Sequence, residues 1–308
     1  MIGLVLSILL TLTELNCENL FDCRHDSLKN DYEFLPEAER HWTPNRYWNK
    51  VNNLAKEIVS CGTLNHLPDI VCLTEVENDS VMIALTRRSL LRNAGYEYVM
   101  TNSDDERGID VAMLYQPSSL RVMTQSSLKV PPKEGERPTR DILYIKGEYR
   151  NGDTLNIFVV HFPSRRGGES ATRDYRLRAA QTILDKLSEC DSWNANHSTI
   201  ITGDFNDYKD DKSLQLFYNS GLINATRNAT GTNGARGTYK YRGEWNSLDH
   251  VLIAGKIKDE LREAKINDSP FLLQGEGDAI MPKRTYRGTF YQGGYSDHLP
   301  LIVNFELK

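Results

Sequence analysis

The sequence predicts an α/β fold organised around mixed β-sheet, and three observations carry that expectation. Apolar runs of strand length recur along the chain, amphipathic stretches of helical period lie between some of them, and the strand-like runs carry polar residues at one end. Taken in order, the strand-like runs are "LTELN" ending at Asn16, "LPDIVCL" at 67–73, "IDVAMLY" at 109–115, "LNIFVVHF" at 155–162, "HSTIITG" at 197–203, "LDHVLIAG" at 248–255 and "HLPLIVNF" at 298–305. Polar, Gly or Pro residues bound each of them, as they bound a buried strand. Helices are predicted from "RYWNKVNNLAKEIVSCG" (46–62), "VMIALTRRSLLRNAG" (81–95) and "SATRDYRLRAAQTILDKLSEC" (170–190). In the last of these Leu177, Ala180, Ile183, Leu184 and Leu187 step along one helical face, and glycines close the other two as C-caps.

Composition bounds the function. The chain has 308 residues, 39% of them hydrophobic and 26% charged, an ordinary balance for a soluble globule large enough to bury a sizeable core. With no repeat, linker or low-complexity tract, residues 12–308 are expected to form a single domain. A net charge of -5 argues against a sequence-independent grip on a polyanion unless basic side chains gather on one face or metal ions supply positive charge. The five cysteines, at 17, 23, 61, 72 and 190, contain no CxxC pair, so neither a zinc knuckle nor a disulfide framework is expected. Residues 1–11 form an apolar segment that is too short to anchor the chain in a bilayer. It reads as a remnant of an export signal or as the start of the first buried strand, which leaves an exported (periplasmic or extracellular) and a cytoplasmic location both open.

The polar residues fall into two groups. Asn16, Glu75, His161, Asp204 and Asn206 follow their strands, whereas Asp110, Asp249, His250, Asp297 and His298 precede theirs. If the two groups of strands run antiparallel, all these side chains converge on one rim of the sheets. Any one of them alone reads as a turn former or a helix cap. Turn chemistry does not require His, Glu and a Gly-Asp-x-Asn order to recur at successive strand ends. Carboxylates, amides and histidines gathered together are the donor inventory of a phosphoesterase site built for Mg²⁺ or Mn²⁺, with Glu75 as the best metal ligand and Asn16 able to add an amide oxygen.

Seven segments in order, "LNCENLFD", "CLTEVEN", "RGIDVAMLY", "VVHFPSRRGG", "ITGDFND", "SLDHVLIA" and "YSDHLPLIV", resemble the endonuclease/exonuclease/phosphatase family, the deoxyribonuclease I-like superfamily, from about residue 12 to the end. The resemblance implies a four-layer α/β/β/α sandwich in which two mixed sheets pack face to face between helices. It implies Mg²⁺ or Mn²⁺ on Glu75, with Asn16 beside it and Asp297 completing the shell. Asp204 would polarise the attacking water, Asn206 would donate to a phosphate oxygen, His298 would contact the scissile phosphate and His161 would assist the leaving group. Asp249 matches a carboxylate near the phosphate, and Asp110 is the candidate partner orienting His161. His250 stands where several relatives have arginine, which leaves a structural imidazole open. Arg165 and Arg166, among glycines after His161, are expected to bind substrate phosphate.

The expected function is a divalent-metal-dependent phosphodiesterase or nuclease acting by in-line water attack. The alternatives are a phosphomonoesterase or lipid-headgroup hydrolase and, from another class, an inactive binding protein on the same fold. The partner expected is a phosphate-ester substrate, nucleic acid among the candidates, for a chain that is monomeric and has no membrane anchor.

Overall fold

The computed structural model describes residues 8–149, 152–190 and 197–307. The principal strands are β1 (Ile8–Leu20), β2 (Ile70–Val76), β3 (Glu97–Met100), β4 (Asp110–Tyr115), β5 (Leu120–Leu128), β6 (Ile142–Tyr149), β7 (Thr154–His161), β8 (Ser198–Asp204), β9 (Ile223–Asn224), β10 (Tyr239–Tyr241), β11 (Glu244–Asn246), β12 (Asp249–Gly255), β13 (Leu261–Ile266) and β14 (Leu301–Leu307). They form two six-stranded mixed sheets, in the orders β13-β14-β1-β2-β4-β3 and β5-β6-β7-β8-β12-β9, while β10 and β11 pair as a separate hairpin. Strand β1 opens at Ile8, inside the segment set apart as 1–11, and residues 1–7 lie outside the described part.

Side-chain alternation sorts the apolar residues into three cores. Leu10, Leu12, Cys72, Val111 and Met113 of one sheet meet Ile145, Ile157, Val159, Ile200 and Val251 of the other, which fills the space between the sheets. The outer face of the first sheet is covered by helix α1 (Pro44–Ser60) through Val51, Leu54, Ala55 and Ile58. The outer face of the second is covered by α2 (Glu169–Glu189) and α3 (Lys212–Asn219). These four layers match the expected fold. The buried face of α2 is Tyr175, Arg176, Ala179, Ala180, Ile183 and Leu187, and the buried guanidinium of Arg176 pairs with Asp207 at 2.6 Å. Leu177 and Leu184, expected on that face, are only partly covered.

The helix expected over 81–95 is broken into an α turn (Asp79–Ile83), a wide turn (Ala84–Arg88) and a 3-10 turn (Leu90–Asn93). Hydroxyls cause the break. Thr86 Oγ1 donates to Met82 O at 2.7 Å, Ser89 Oγ donates to Leu85 O, and Ser89 Oγ also accepts from Leu91 N at 3.0 Å, so side chains take over bonds that a continuous helix would make.

Strand directions decide where the polar residues go. β1 and β2 run parallel, as do β7 and β8, whereas β4, β12 and β14 run antiparallel to their neighbours β2, β8 and β1. The C-terminal ends of the first group therefore share one rim with the N-terminal ends of the second.

Candidate active site

That rim carries an open cavity of about 610 Å³, and Glu75, His161, Asp204, Asn206, Asp297 and His298 are among its lining residues. Pairing register builds its centre: Asp204, last in β8, lies opposite Asp249, first in β12. His298 reaches in from the turn before β14, so that one ligand atom each from Asp204, Asp249 and His298 fall within 4.8 Å of one another. Gly203 makes the approach possible, because at φ +137° a Cβ there would stand 1.9 Å from Val160 O.

Two irregularities aim the other side chains. The β1–β2 pairing slips between Asn16 and Leu20, and the β2–β4 pairing slips between Thr74 and Val76. Across these bulges Glu18, Asn19 and Glu75 take left-handed φ values of 45°, 62° and 60°, and Asn206 does the same at 49°. Left-handed backbone without glycine costs roughly 1–3 kcal/mol per residue and collects at sites where side-chain direction matters.

Hydrogen bonds then fix each group. Asp249 Oδ2 accepts from His298 Nδ1 at 2.7 Å and from Thr238 Oγ1, leaving the other imidazole nitrogen for the cavity. Asp204 accepts from Asn206 N at 2.8 Å and from Asn16 Nδ2 at 3.1 Å. His161 Nε2 sits 3.8 Å from Glu75 Oε1 and 3.7 Å from Asp204 Oδ2. Asn206 Nδ2 donates to Phe162 O at 3.1 Å, which spends one amide hydrogen on the scaffold and leaves one for a ligand.

The electrostatics separate the two histidines. Burial disfavours the charged form of His298, but Asp249, Asp297 and Asp204 outweigh it and hold its pKa well above the ordinary value. Burial, with Arg140, Arg107 and His298 nearby, pushes His161 well below it. Burial and the Asp249 carboxylate raise Asp204 to about 7.

Several expected roles change. Asp110 does not orient His161: its Oδ1 accepts from Thr101 Oγ1 at 2.6 Å and Ser103 N at 2.9 Å, while His161 Nδ1 finds no hydrogen-bond partner among the described residues. Asn16 has its amide oxygen engaged by the scaffold. The backbone N–H of Glu18 donates to that oxygen at 2.9 Å, so the nitrogen faces Asp204 and holds it in place. Asp297 lines the cavity but has one oxygen bound by Arg284. Arg165 also lines it, although it is already paired with Asp211 at 3.0 Å and stacked on Tyr208, whereas Arg166 lines it with an exposed side chain. His250 is buried scaffolding, its nitrogens placed on Asp207 O (2.9 Å) and Asn224 Nδ2 (3.1 Å).

The sequence reading missed Glu14, Arg107, Arg140, Arg284 and Tyr239. Arg107 lines the cavity, and Arg140, buried behind it, donates to Phe162 O at 2.5 Å. Tyr239 packs its ring against His298 with centroids 4.8 Å apart. Glu14 is fully buried beneath the site with neither carboxyl oxygen bonded among the described residues, and burial together with Asp249 and Asp204 raises its pKa well above the ordinary value. A carboxyl at an inward position of "LTLTELN" was the one available signal.

The donor set fits a hard divalent cation. Glu75 and Asp297 present partly open carboxylates to the cavity, with side chains 17% and 21% exposed, beside an imidazole and further oxygens.

The sequence model of the Endonuclease/Exonuclease/phosphatase family matches residues 11–307. No curated protein matches the sequence closely enough to count as a relative. Among solved structures, an endonuclease/exonuclease/phosphatase from Bacteroides vulgatus superposes with a TM-score of 0.65 at 15% identity, over 98% of this chain and 100% of its own. A mannosyl-6-phosphatase from Bacteroides thetaiotaomicron gives a TM-score of 0.63 at 16% identity over 96% and 98%. The human nocturnin catalytic domain with bound sulfate gives a TM-score of 0.56 at 16% identity over 98% of each chain.

Proposed function

Because the chain belongs to the endonuclease/exonuclease/phosphatase family, whose members are phosphoesterase hydrolases, we propose that it is a divalent-metal-dependent phosphodiesterase that hydrolyses phosphodiester bonds by in-line attack of water. The observation carrying this reading is the convergence of Asp204, His298 and the buried Asp249 within 4.8 Å, at the wall of a cavity that Glu75 and His161 also line.

Glu75 and Asp297 would hold the cation, with Asn16 acting through Asp204. Bound there, a divalent ion supplies positive charge to the phosphate oxygens. The side chains supply the rest. Asp204, with a pKa near 7, is tuned to take a proton from the attacking water at neutral pH. His298 is kept charged by Asp249 and donates from its free nitrogen to a non-bridging oxygen, an arrangement whose strength comes from ionised donors. Asn206 adds its remaining amide hydrogen. Burial, with Arg140 and Arg107 adding repulsion, keeps His161 neutral while the cavity holds no anion. Entry of a phosphate offsets those cations and favours uptake of a proton from solvent, which His161 passes to the departing oxygen, while the proton of the attacking water stays on Asp204.

The test is a panel of plasmid DNA, RNA, bis-p-nitrophenyl phosphate, sugar phosphates and inositol phosphates, assayed with Mg²⁺, with Mn²⁺ and with EDTA. Hydrolysis of diesters with either ion and none in chelator is expected. Turnover of monoesters alone would replace the diester assignment with a phosphomonoesterase. Full activity in EDTA, or none on any ester, would remove the mechanism.

A further inference from the structure

The hairpin β10–β11 stands as a ridge between two cavities. Its register sets Lys240 opposite Trp245 and Tyr241 opposite Glu244, so alternate residues face opposite ways. Tyr239 and Tyr241 line the catalytic cavity, with rings 6.5 Å apart and only 14° from parallel. Trp245 lines the other cavity, of about 420 Å³, together with Lys209, Arg227 and Arg236. Gly237 closes the base of the ridge, where a Cβ would stand 2.4 Å from Asn246 O. Tyr208 lines both cavities, which sets them side by side.

The charge of the second cavity has no counterpart in the chain as a whole, which carries a net -5. Three cations face one carboxylate there, Asp210, and that carboxylate is taken by Arg227 at 2.7 Å. Lys209 and Arg236 make no ion pair among the described residues. Buried His250 at the floor adds no charge, because burial lowers its pKa. Lys209 and Arg236 share a cavity with an indole that carries Lys240 over its ring at 5.4 Å, next to a tyrosine pair on the phosphoesterase side. The surface thus provides charge for the phosphates of a phosphate-linked chain and aromatic rings for its planar groups.

We propose that this cavity is a second anion-binding subsite, and that the substrate is an extended, single-stranded chain of phosphate esters bearing planar rings. The scissile phosphate lies beside His298 while a neighbouring phosphate rests on Lys209 and Arg236 across the ridge. A base-paired duplex, whose ring faces are already stacked, does not offer what the ridge takes. The inference rests on the phosphoesterase reading for the scissile step, and the subsite itself is read by binding alone.

The experiment uses p-nitrophenyl 5′-esters of thymidylates one to four nucleotides long, the monomer serving as internal reference. In the intact protein KM falls about tenfold or more from monomer to tetramer, as one or two charge-assisted contacts would give. Arg236→Glu, and separately Lys209→Ala, flatten that fall, and so does high salt in the intact protein. A KM independent of length, or a fall that survives Arg236→Glu, overturns the subsite. Calorimetry of tetrathymidylate in EDTA, where no cleavage is expected, gives the second reading. Binding that weakens about tenfold in Arg236→Glu supports the subsite even if no ester is turned over, in which case the catalytic reading alone falls. Absence of binding, or binding indifferent to Arg236, overturns the subsite even where the monomer is hydrolysed.

Discussion

His161 and His298 are both buried imidazoles, yet their surroundings drive them to opposite charge states. At His298 the surrounding carboxylates outweigh burial, whereas at His161 burial, helped by Arg140 and Arg107, prevails although Glu75 and Asp204 stand 3.8 and 3.7 Å from its Nε2. This gives a separable prediction. If His161 serves the leaving group, His161→Ala loses on the order of 10² to 10⁴ in rate on an alkyl phosphodiester and far less on a p-nitrophenyl ester, whose leaving group needs no proton. His298→Ala loses activity on both. Equal losses for His161→Ala on the two esters would make it a phosphate-orienting residue instead. Glu75→Ala should weaken Mg²⁺ or Mn²⁺ binding in calorimetry, and an unchanged affinity would move the ion elsewhere on the rim. At this scale the sequence was legible wherever a polar side chain stands at a strand end, which is how Glu75, His161, Asp204, Asp249 and His298 could be read. Arg107, Arg140 and Arg284 come from loops, where arginine is common for solubility alone, and nothing in their spacing marked them. The error over Asp110 has a similar cause: its place at the start of β4 is as expected, but the local Thr101 hydroxyl and Ser103 N–H take the carboxylate that was assigned to His161.

Among elements, β8 carries the greatest constraint. It runs parallel to β7 on one side and antiparallel to β12 on the other, so a shift of one residue would move Asp204 off Asp249 and turn every side chain over. Gly203 is where that strand meets its neighbour most closely. Gly203→Ala puts a methyl group against Val160 O at 1.9 Å in a conformation that L residues rarely adopt. Backbone strain alone then costs about 1–3 kcal/mol, and the clash adds to it. A urea midpoint unchanged in Gly203→Ala would show that the β7–β8 contact relaxes freely. Strands were legible because buried runs are short and bounded. The broken segment 79–93 was not, since its apolar spacing is helical and the interruption comes from Thr86 and Ser89 bonding to carbonyls one turn back, an effect that periodicity does not register.

For the whole molecule, strand polarity made the shared polar rim legible, while the two-sheet architecture was legible only through the resemblance of the seven ordered segments to a known family. What the sequence could not display is the burial of carboxyls away from that rim, and this governs how stability responds to pH. Glu57 on α1 is fully buried, and neither of its oxygens is bonded among the described residues. Lys50, whose ammonium is held by Thr285 Oγ1 at 2.6 Å and by Tyr295 O, and Glu18 are the charges that act on it. Burial prevails, and its pKa rises from 4.5 to about 8. Below pH 4.5 the carboxyl is protonated in both folded and unfolded chains, so its contribution is fully present. Between 4.5 and about 8 the folded state keeps a proton that the unfolded state has released, and stability falls as pH rises, by up to about 1.4 kcal/mol per pH unit for this group. Above that range the loss is complete. Glu77, raised by burial to about 8, acts in the same direction, and His161, with its lowered pKa, acts in the opposite one. Urea midpoints measured in EDTA across this window should therefore drop towards alkaline pH. Glu57→Gln, which cannot ionise, should flatten the drop by one group's share. A variant whose midpoints follow the same slope as the parent would mean that Glu57 is ionised in the folded chain, with Lys50 drawn towards it.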